Sequence, residues 1–258
     1  MGDICTNDIK QFLDEKYLQY ASPQFIDTDP IQIPKAYSRK EDIEIAGFLA
    51  ATISWGQRPQ IIKSAKKLME QMGESPYEFI IDSTNNDIKA LSSFYYRTFN
   101  GTDCSVFLKS LKRIYCNDKS IESLFTNGYK ATLTIKGAIN HFRCNFIDDS
   151  FPNRSTKHLS NPMAGSAAKR INMFLRWMVR PPKENVDFGL WPSIPPSALM
   201  LPLDVHSGRV ARRLGLLNRK QSDWKAVEEV TAKLRTFDPN DPIKYDFALF
   251  GLGVFEKF

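Results

Sequence analysis

Several familiar functional signatures are missing from this sequence. No apolar run approaches the roughly 18 residues that are needed to cross a bilayer. The segment Met1–Asp8 carries acids and no apolar stretch, unlike a secretory signal. These absences predict a cytoplasmic protein without a membrane partner.

Cysteine and histidine are also scarce. The chain has three histidines and four cysteines, none in a Cys-x-x-Cys pair and none beside a histidine at zinc-site spacing: Cys5, Cys104, Cys116 and Cys144. We therefore expect reduced thiols that are mostly packed in the interior, and we predict no metal site.

The charge of the chain is unevenly distributed. The formal net charge is +6, but residues 154–220 hold twelve Lys and Arg against three acids. A basic segment in an otherwise slightly acidic protein suits a phosphate-backbone ligand, although a solvated basic surface has the same composition.

Helical periodicity dominates the chain, and strand signals are few. A capping box at Ser38–Glu41 predicts the start of a strongly apolar helix that Gly56 ends, and Pro59 suits the first turn of the next. Further helices are predicted at about 86–95, 103–115, 119–146 with an interruption near Gly128, 166–179, 205–214, 222–236 and 241–254. The prediction is an all-α protein.

Two segments concentrate reactive side chains. In Pro202–Leu216, a proline-led loop brings Asp204 to the start of a short helix that is basic on its exposed side. A simple structural interpretation makes Asp204 a helix N-cap. In Gly165–Trp177, Lys169 begins a helix, and an ammonium is disfavoured at that positive end, which favours a neutral, nucleophilic amine. The simpler interpretation of Lys169 is a solvent-exposed lysine.

These two segments resemble the helix-hairpin-helix DNA glycosylases, the superfamily of endonuclease III and 8-oxoguanine glycosylase. The resemblance implies a two-lobed all-α fold that binds double-stranded DNA as a monomer without a cofactor. We expect one lobe at about 36–150 and the other from 1–35 and 151–258. The iron-sulfur cluster of many endonuclease III relatives is not expected, because no cysteine follows Cys144.

The same resemblance implies a reaction. Asp204 would stabilise cationic character on the deoxyribose, and Lys169 would attack the sugar C1′ to form a Schiff base. The implied function is a base-excision repair glycosylase with abasic-site lyase activity on a damaged, for example oxidised, base. Such an enzyme would associate with the nucleoid when it binds DNA.

DNA-binding residues follow from the resemblance as well. Gln57 lies in a segment, Ser54–Pro59, that is similar to the family's serine-x-glutamine element, and Arg58 is adjacent. The other predicted DNA contacts are Gly165, Arg170, Arg176, His206, Arg209 and Arg213.

The hairpin before the lysine departs from the family's leucine-proline-glycine-x-glycine, since it reads Leu159–Gly165 here. Only Gly165 keeps a plausible tight backbone position. Lys169 and Asp204 are 35 residues apart, which is closer to the archaeal 8-oxoguanine glycosylase branch. In that branch an acid and an aromatic residue on the last helix contact the extruded base, and Asp246 and Phe250 match them. Met173 completes the predicted base pocket.

Other interpretations stay open. Phe250 suits a core position, and Asp246 suits an ion pair. The chain could be a non-catalytic nucleic-acid-binding protein that keeps the glycosylase fold, or a helical interaction protein with no nucleic-acid role. The whole chain also resembles a bacterial family of unknown function, DUF2400, through Lys169–Arg180 and Lys244–Gly251.

Overall fold

The computed structural model of the protein describes residues 6–117 and 119–258. Cys5 and most of Met1–Asp8, the segment without an apolar stretch, lie outside the described residues. The described chain is helical, which confirms the all-α prediction. It contains no β-strand, only isolated bridges between Tyr96 and Phe99 and between Ser166 and Asp223.

The α-helices are connected by short 3-10 turns and loops. Their bounds are α1 Thr6–Tyr20, α2 Lys40–Thr52, α3 Arg58–Met72, α4 Pro76–Asp82, α5 Asn85–Ala90, α6 Gly101–Tyr115, α7 Ile121–Thr132, α8 Ile135–Phe146, α9 Lys169–Val179, α10 Val205–Arg213, α11 Trp224–Phe237 and α12 Tyr245–Val254.

The chain divides into two compact units. Unit 1 joins the segment that ends at Phe25 to Pro162–Phe258, and unit 2 is Ile26–Asn161. The boundaries between the two units fall at 25/26 and 161/162, whereas lobe boundaries at about 35/36 and 150/151 were expected from the sequence. Unit 1 holds α1 and α9–α12, with α12 packed against both α1 and α10. Unit 2 holds α2–α8, and its core is rich in phenylalanine around Phe48, Phe107 and Phe142.

The predicted capping box at Ser38–Glu41 is wrong. Helix α2 begins at Lys40, and its N-cap is Arg39, whose side chain makes no capping hydrogen bond. The carboxylate of Glu41 accepts a hydrogen bond from Arg39 Nε at 3.3 Å. The acid that was expected to close the box is therefore engaged by its neighbour's guanidinium.

The break predicted near Gly128 lies five residues later. Gly128 is inside α7, where an added Cβ would stand 2.5 Å from the Cβ of His141 on α8. The glycine thus permits close packing of two antiparallel helices. The chain turns at Leu133, which adopts the left-handed φ of 54°.

The cysteines differ from the expectation. Cys104, Cys116 and Cys144 are free, but only Cys104 is buried. Burial, together with the nearby charge of Asp103, raises the pKa of the Cys104 thiol to about 12. The expectation that the thiols are mostly packed is therefore wrong for two of these three.

No helix in the described ranges is long and apolar enough to span a membrane.

A buried ion network ties the elements of unit 1 together. The guanidinium of Arg180, which is fully buried, donates to both carboxylate oxygens of Asp241 at 3.1 and 3.0 Å and to Asp187 at 3.0 Å. It also donates to the Tyr17 hydroxyl at 2.7 Å. Burial alone would lower the pKa of Arg180, but the charges of Asp187 and Asp241 more than offset it, so the pKa is raised.

Removal of this guanidinium tests the network. Arg180→Met leaves Asp187 and Asp241 buried with fewer partners, so we expect the free energy of unfolding to fall by roughly 3 to 5 kcal/mol in urea denaturation. Arg219→Met is the matched control, because its pair with Asp223 lies at the surface with both side chains about 30 % exposed, so its loss should change stability little. Equal effects of the two substitutions would contradict a structural role for the buried network.

Candidate active site

Lys169 is the first residue of α9, and the backbone just before it has an unusual conformation. The preceding Ala168 is the N-cap with a left-handed φ of 50°, and it offers no side-chain capping hydrogen bond. Lys169 is half-buried, and its amine makes no hydrogen bond or ion pair with any residue that the structure describes. An amine with no internal partner is available to react with a ligand.

Asp204 is the N-cap of α10 and presents one oxygen outward. Its Oδ1 accepts hydrogen bonds from the backbone N–H of His206 at 2.8 Å and of Ser207 at 2.9 Å. The Ser207 hydroxyl also donates to Oδ1 at 3.2 Å and accepts from the Asp204 N–H at 2.9 Å, which completes a capping box. Within the described chain, Oδ2 accepts no hydrogen bond. The two helix amides therefore orient the carboxylate while leaving half of it free.

Asp246 lies in the first turn of α12 and is buried. Its side chain is 6 % exposed, and its Oδ2 accepts a hydrogen bond from Arg176 Nη1. Arg176 also donates through Nε to Asp187 at 3.3 Å, and its guanidinium lies 4.4 Å from the centre of the Phe247 ring. The acid is thus held by a buried cation that is itself fixed by a second carboxylate.

Electrostatics link these three residues. Burial is the largest influence on Asp246 and raises its pKa, and the negative charge of Asp204 raises it further. The positive charges of Arg176 and Lys169 act in the opposite direction, and the resulting pKa is about 6. The charges of Lys169 and Asp204 thus both influence the pKa of one buried carboxyl group.

Close packing of α12 on α10 holds Asp246 and Asp204 in this arrangement. An added Cβ on Gly253 would meet the Cβ of His206 at 2.9 Å and its backbone carbonyl at 3.1 Å, so only glycine allows this approach. Arg209 closes the end of α12 by donating to the carbonyls of Gly253 at 2.8 Å and Phe258 at 2.9 Å. Arg209, which was predicted to bind DNA, is exposed. Its guanidinium already makes these two hydrogen bonds, which support the packing of α12 on α10.

Two other predicted site residues, Arg176 and Met173, are buried, which gives those predictions less support. Arg176, also predicted to bind DNA, is only 3 % exposed and is an ion-pair partner of Asp246, so its guanidinium faces no solvent in this structure. Met173 is 7 % exposed and belongs to the core. Phe250 is half-buried, with its ring 6.0 Å from that of Phe25.

The remaining predicted contacts of unit 1 lie at its surface. Gly165 adopts the tight conformation that was expected, with φ at 89°, but its N–H already donates to the carbonyl of Pro162 at 3.1 Å. Arg170 is half-buried, and burial lowers its pKa to about 10. His206 and Arg213 are exposed, and the Arg213 guanidinium lies 5.4 Å from the centre of the Phe258 ring.

Gln57 and Arg58 belong to unit 2, where they start α3. Gln57 is exposed and is the N-cap of the helix, without a side-chain capping bond. Arg58 is half-buried and lines a cavity of about 860 Å³, with one N–H directed to Thr28 Oγ1 at 3.4 Å.

Two features of this region have little or no signal in the sequence. Asp187 bridges Arg176 and Arg180. The available sequence signal for this role was the small number of acids in the basic segment 154–220. Val205, next to Asp204, is 80 % exposed, and a large apolar side chain in that position has no sequence signature. In the described residues, no group of three or more His, Cys, Asp or Glu side chains is suited to hold a metal ion.

The electrostatic coupling can be measured directly. The folded pKa of Asp246 lies above the ordinary value of 3.8, so its contribution to stability is present in full below that value and is lost as the pH rises through about 6. In carboxyl-carbon NMR titrations, Asp204→Asn should lower the pKa of Asp246, because a like charge is removed. Lys169→Gln should raise it, because an opposite charge is removed.

Lys183→Gln and Asp223→Asn are matched controls, since neither charge is among the largest influences on the pKa of Asp246. A pKa of Asp246 that does not respond to Asp204→Asn would show that the two carboxyl groups are not coupled.

Comparison with known proteins places the chain in a family. No curated protein and no solved structure matches it. The model of one family, a protein of unknown function designated DUF2400, matches residues 29–255, which covers both Lys169 and Asp204 as well as Asp246. The chain therefore belongs to the DUF2400 family.

Proposed function

We propose that the protein is a DNA base-excision glycosylase with abasic-site lyase activity. The observation that carries the proposal is the convergence on Asp246 of an unpaired amine, Lys169, and a carboxylate with one free oxygen, Asp204. A nucleophile beside a fixed anion and a proton-exchanging acid is a suitable set for breaking a glycosidic bond.

Each of the three groups has its own role in the proposed reaction. The neutral amine of Lys169 attacks C1′ of the nucleotide, and the bond from C1′ to the base nitrogen breaks with its electron pair leaving on the base, which takes up a proton. The bound amine gives up a proton, and the C1′–O4′ bond breaks with its electron pair leaving on O4′, which takes up a proton. The nitrogen lone pair forms the C1′–Nζ double bond of the Schiff base. Loss of a proton from C2′ then expels the 3′ phosphate by β-elimination.

Asp204 suits the electrostatic role in this scheme. Its Oδ1 is occupied by two helix amides, and its Oδ2 is left to face positive charge that develops on the sugar. Asp246 has a pKa of about 6, close enough to neutrality to exchange a proton with the departing base or with the amine.

The nucleophile is identified by borohydride trapping. Wild-type protein that is mixed with an abasic-site duplex and sodium borohydride should form a covalent adduct, because reduction fixes the Schiff base. Mass spectrometry should locate the adduct on Lys169. Lys169→Gln should abolish trapping but preserve DNA binding, since the substitution removes only one cation.

Lys183→Gln is the matched control, because Lys183 is exposed and lies outside the site. An adduct on a different lysine would contradict the assignment of the nucleophile. Binding without any adduct across a panel of lesions would instead favour a non-catalytic nucleic-acid-binding protein.

Asp204→Asn separates capping from catalysis. The asparagine oxygen can still accept both amide hydrogen bonds, so thermal unfolding should change little. Turnover should fall by roughly 10²- to 10³-fold, because the charge opposite the sugar is lost. Asp223→Asn at the N-cap of α11 is the matched control and should keep full turnover. A large loss of stability with activity retained would make Asp204 only a structural cap.

A further inference from the structure

A rigid turn in unit 2 packs on the joint between α2 and α3. Tyr96 and Phe99 exchange two backbone hydrogen bonds across this turn, at 2.7 and 2.9 Å. The Tyr96 hydroxyl donates to the Trp55 carbonyl at 2.8 Å, and the two rings meet edge to face with centroids 5.5 Å apart. The turn is therefore held in place by its own backbone and by the contact of Tyr96 with Trp55.

Arg97 at the tip of the turn is held in a strained conformation. Its φ of 56° lies in the left-handed region that residues with a side chain rarely adopt. Its guanidinium crosses Gly56, where an added Cβ would stand 2.8 Å from Arg97 Nη1 and 3.0 Å from the Tyr96 hydroxyl. Gly56 itself has a φ of 108°. Backbone strain of this kind is concentrated at functional sites.

Beside the turn lies an open groove of about 440 Å³ whose lining carries positive charge without an acid. Among the residues that line it are Gln57, Gln60, Lys63, Lys67, Tyr95 and Arg97. We call these six residues the α3 groove. A hollow with amide, ammonium and guanidinium donors and no carboxylate suits a polyanion.

A neighbouring cavity along α3 extends the positive charge. The cavity of about 860 Å³ there shares Lys63 and Lys67 with the α3 groove and adds Arg58 and Lys66 against two acids. Lys63, Lys66, Lys67 and Arg97 make no hydrogen bond or ion pair with any described residue. These cations are thus available to a ligand.

Tyr95 adds a second kind of contact. Its side chain is 75 % exposed and its ring makes no aromatic contact in the described chain, although Phe94 and Tyr96 on either side are buried. An exposed aromatic face among cations is the usual platform on which single-stranded nucleic acids stack their bases. Bases within a duplex are already stacked on one another, so this ring favours an unpaired base.

We propose that the α3 groove binds a single-stranded segment of DNA, with phosphates on Lys63, Lys67 and Arg97 and an unpaired base on Tyr95. Lys63 and Lys67 are one helical turn apart, about 6 Å between their Cβ atoms, a separation comparable to one nucleotide step of an extended strand. The inference rests on the proposed function only in taking DNA as the polyanion, and it adds that the protein selects DNA with unpaired bases.

The test measures binding rather than catalysis, so its outcome is independent of Lys169 trapping. Fluorescence anisotropy of the full chain with an undamaged oligodeoxythymidine of about 12 nucleotides, within known single-strand site sizes, gives the affinity. Tyr95→Ala should weaken binding roughly tenfold, the effect of one lost base stack, and Tyr95→Phe should restore it. On an oligomer of abasic tetrahydrofuran sites with the same phosphates, Tyr95→Ala should have no effect.

Charge reversal tests the phosphate contacts. Lys63→Glu with Lys67→Glu should weaken binding to both oligomers at least about tenfold and reduce its salt dependence. Lys130→Glu with Lys136→Glu makes the same charge change outside the α3 groove and should leave the affinity unchanged. Unaltered binding by the groove variant, or equal effects of both pairs, would overturn the proposal.

A third outcome is also decisive. If Tyr95→Ala binds oligodeoxythymidine as tightly as wild type does while heparin competes fully, the α3 groove binds polyanions by charge alone, and the assignment to single-stranded DNA is wrong.

Discussion

Unit 1 depends on two arginines, Arg176 in the last turn of α9 and Arg180 at the C-cap of that helix. Arg176 and Arg180 are 3 % and 0 % exposed, and guanidinium groups stay charged at any pH the protein meets. Each must therefore be matched by carboxylates from elsewhere in the chain, because an unpaired buried charge is very costly. Asp187, Asp241 and Asp246 supply them, and Asp187 bridges both arginines. The helix that begins with Lys169 is thereby joined to the helix that carries Asp246.

The sequence predicted what local physics controls. Apolar periodicity revealed the helices, and the preference of Asp for a helix start placed Asp204 correctly at the N-cap of α10. Periodicity cannot distinguish an exposed arginine from one that is buried against a partner, as Arg176 is. That partner, Asp246, is 70 residues away in the chain. The contact depends on tertiary packing of α12, which no local pattern encodes.

The α3 groove shows the same division between local and non-local information. Gln57 was found from a short motif at the joint between two helices, whereas Tyr95 and Arg97 carried no motif. Their placement depends on Gly56, which is about forty positions earlier and leaves the space that the Arg97 side chain occupies. Helix starts can be predicted within a few residues, but a glycine that serves a distant side chain looks like any helix breaker.

The carboxylate of Asp204 is positioned by main-chain groups, and this has a consequence for how the site can vary. Rotamer changes in neighbouring side chains leave the two N–H groups of α10 in place, so the surrounding sequence is free to drift. Chain length is not free in the same way. One residue gained or lost between the cap and Ser207 would turn the rest of α10 by about 100° relative to the free oxygen. Substitution and insertion thus meet very different constraints at this loop, and its length is the more strictly fixed property.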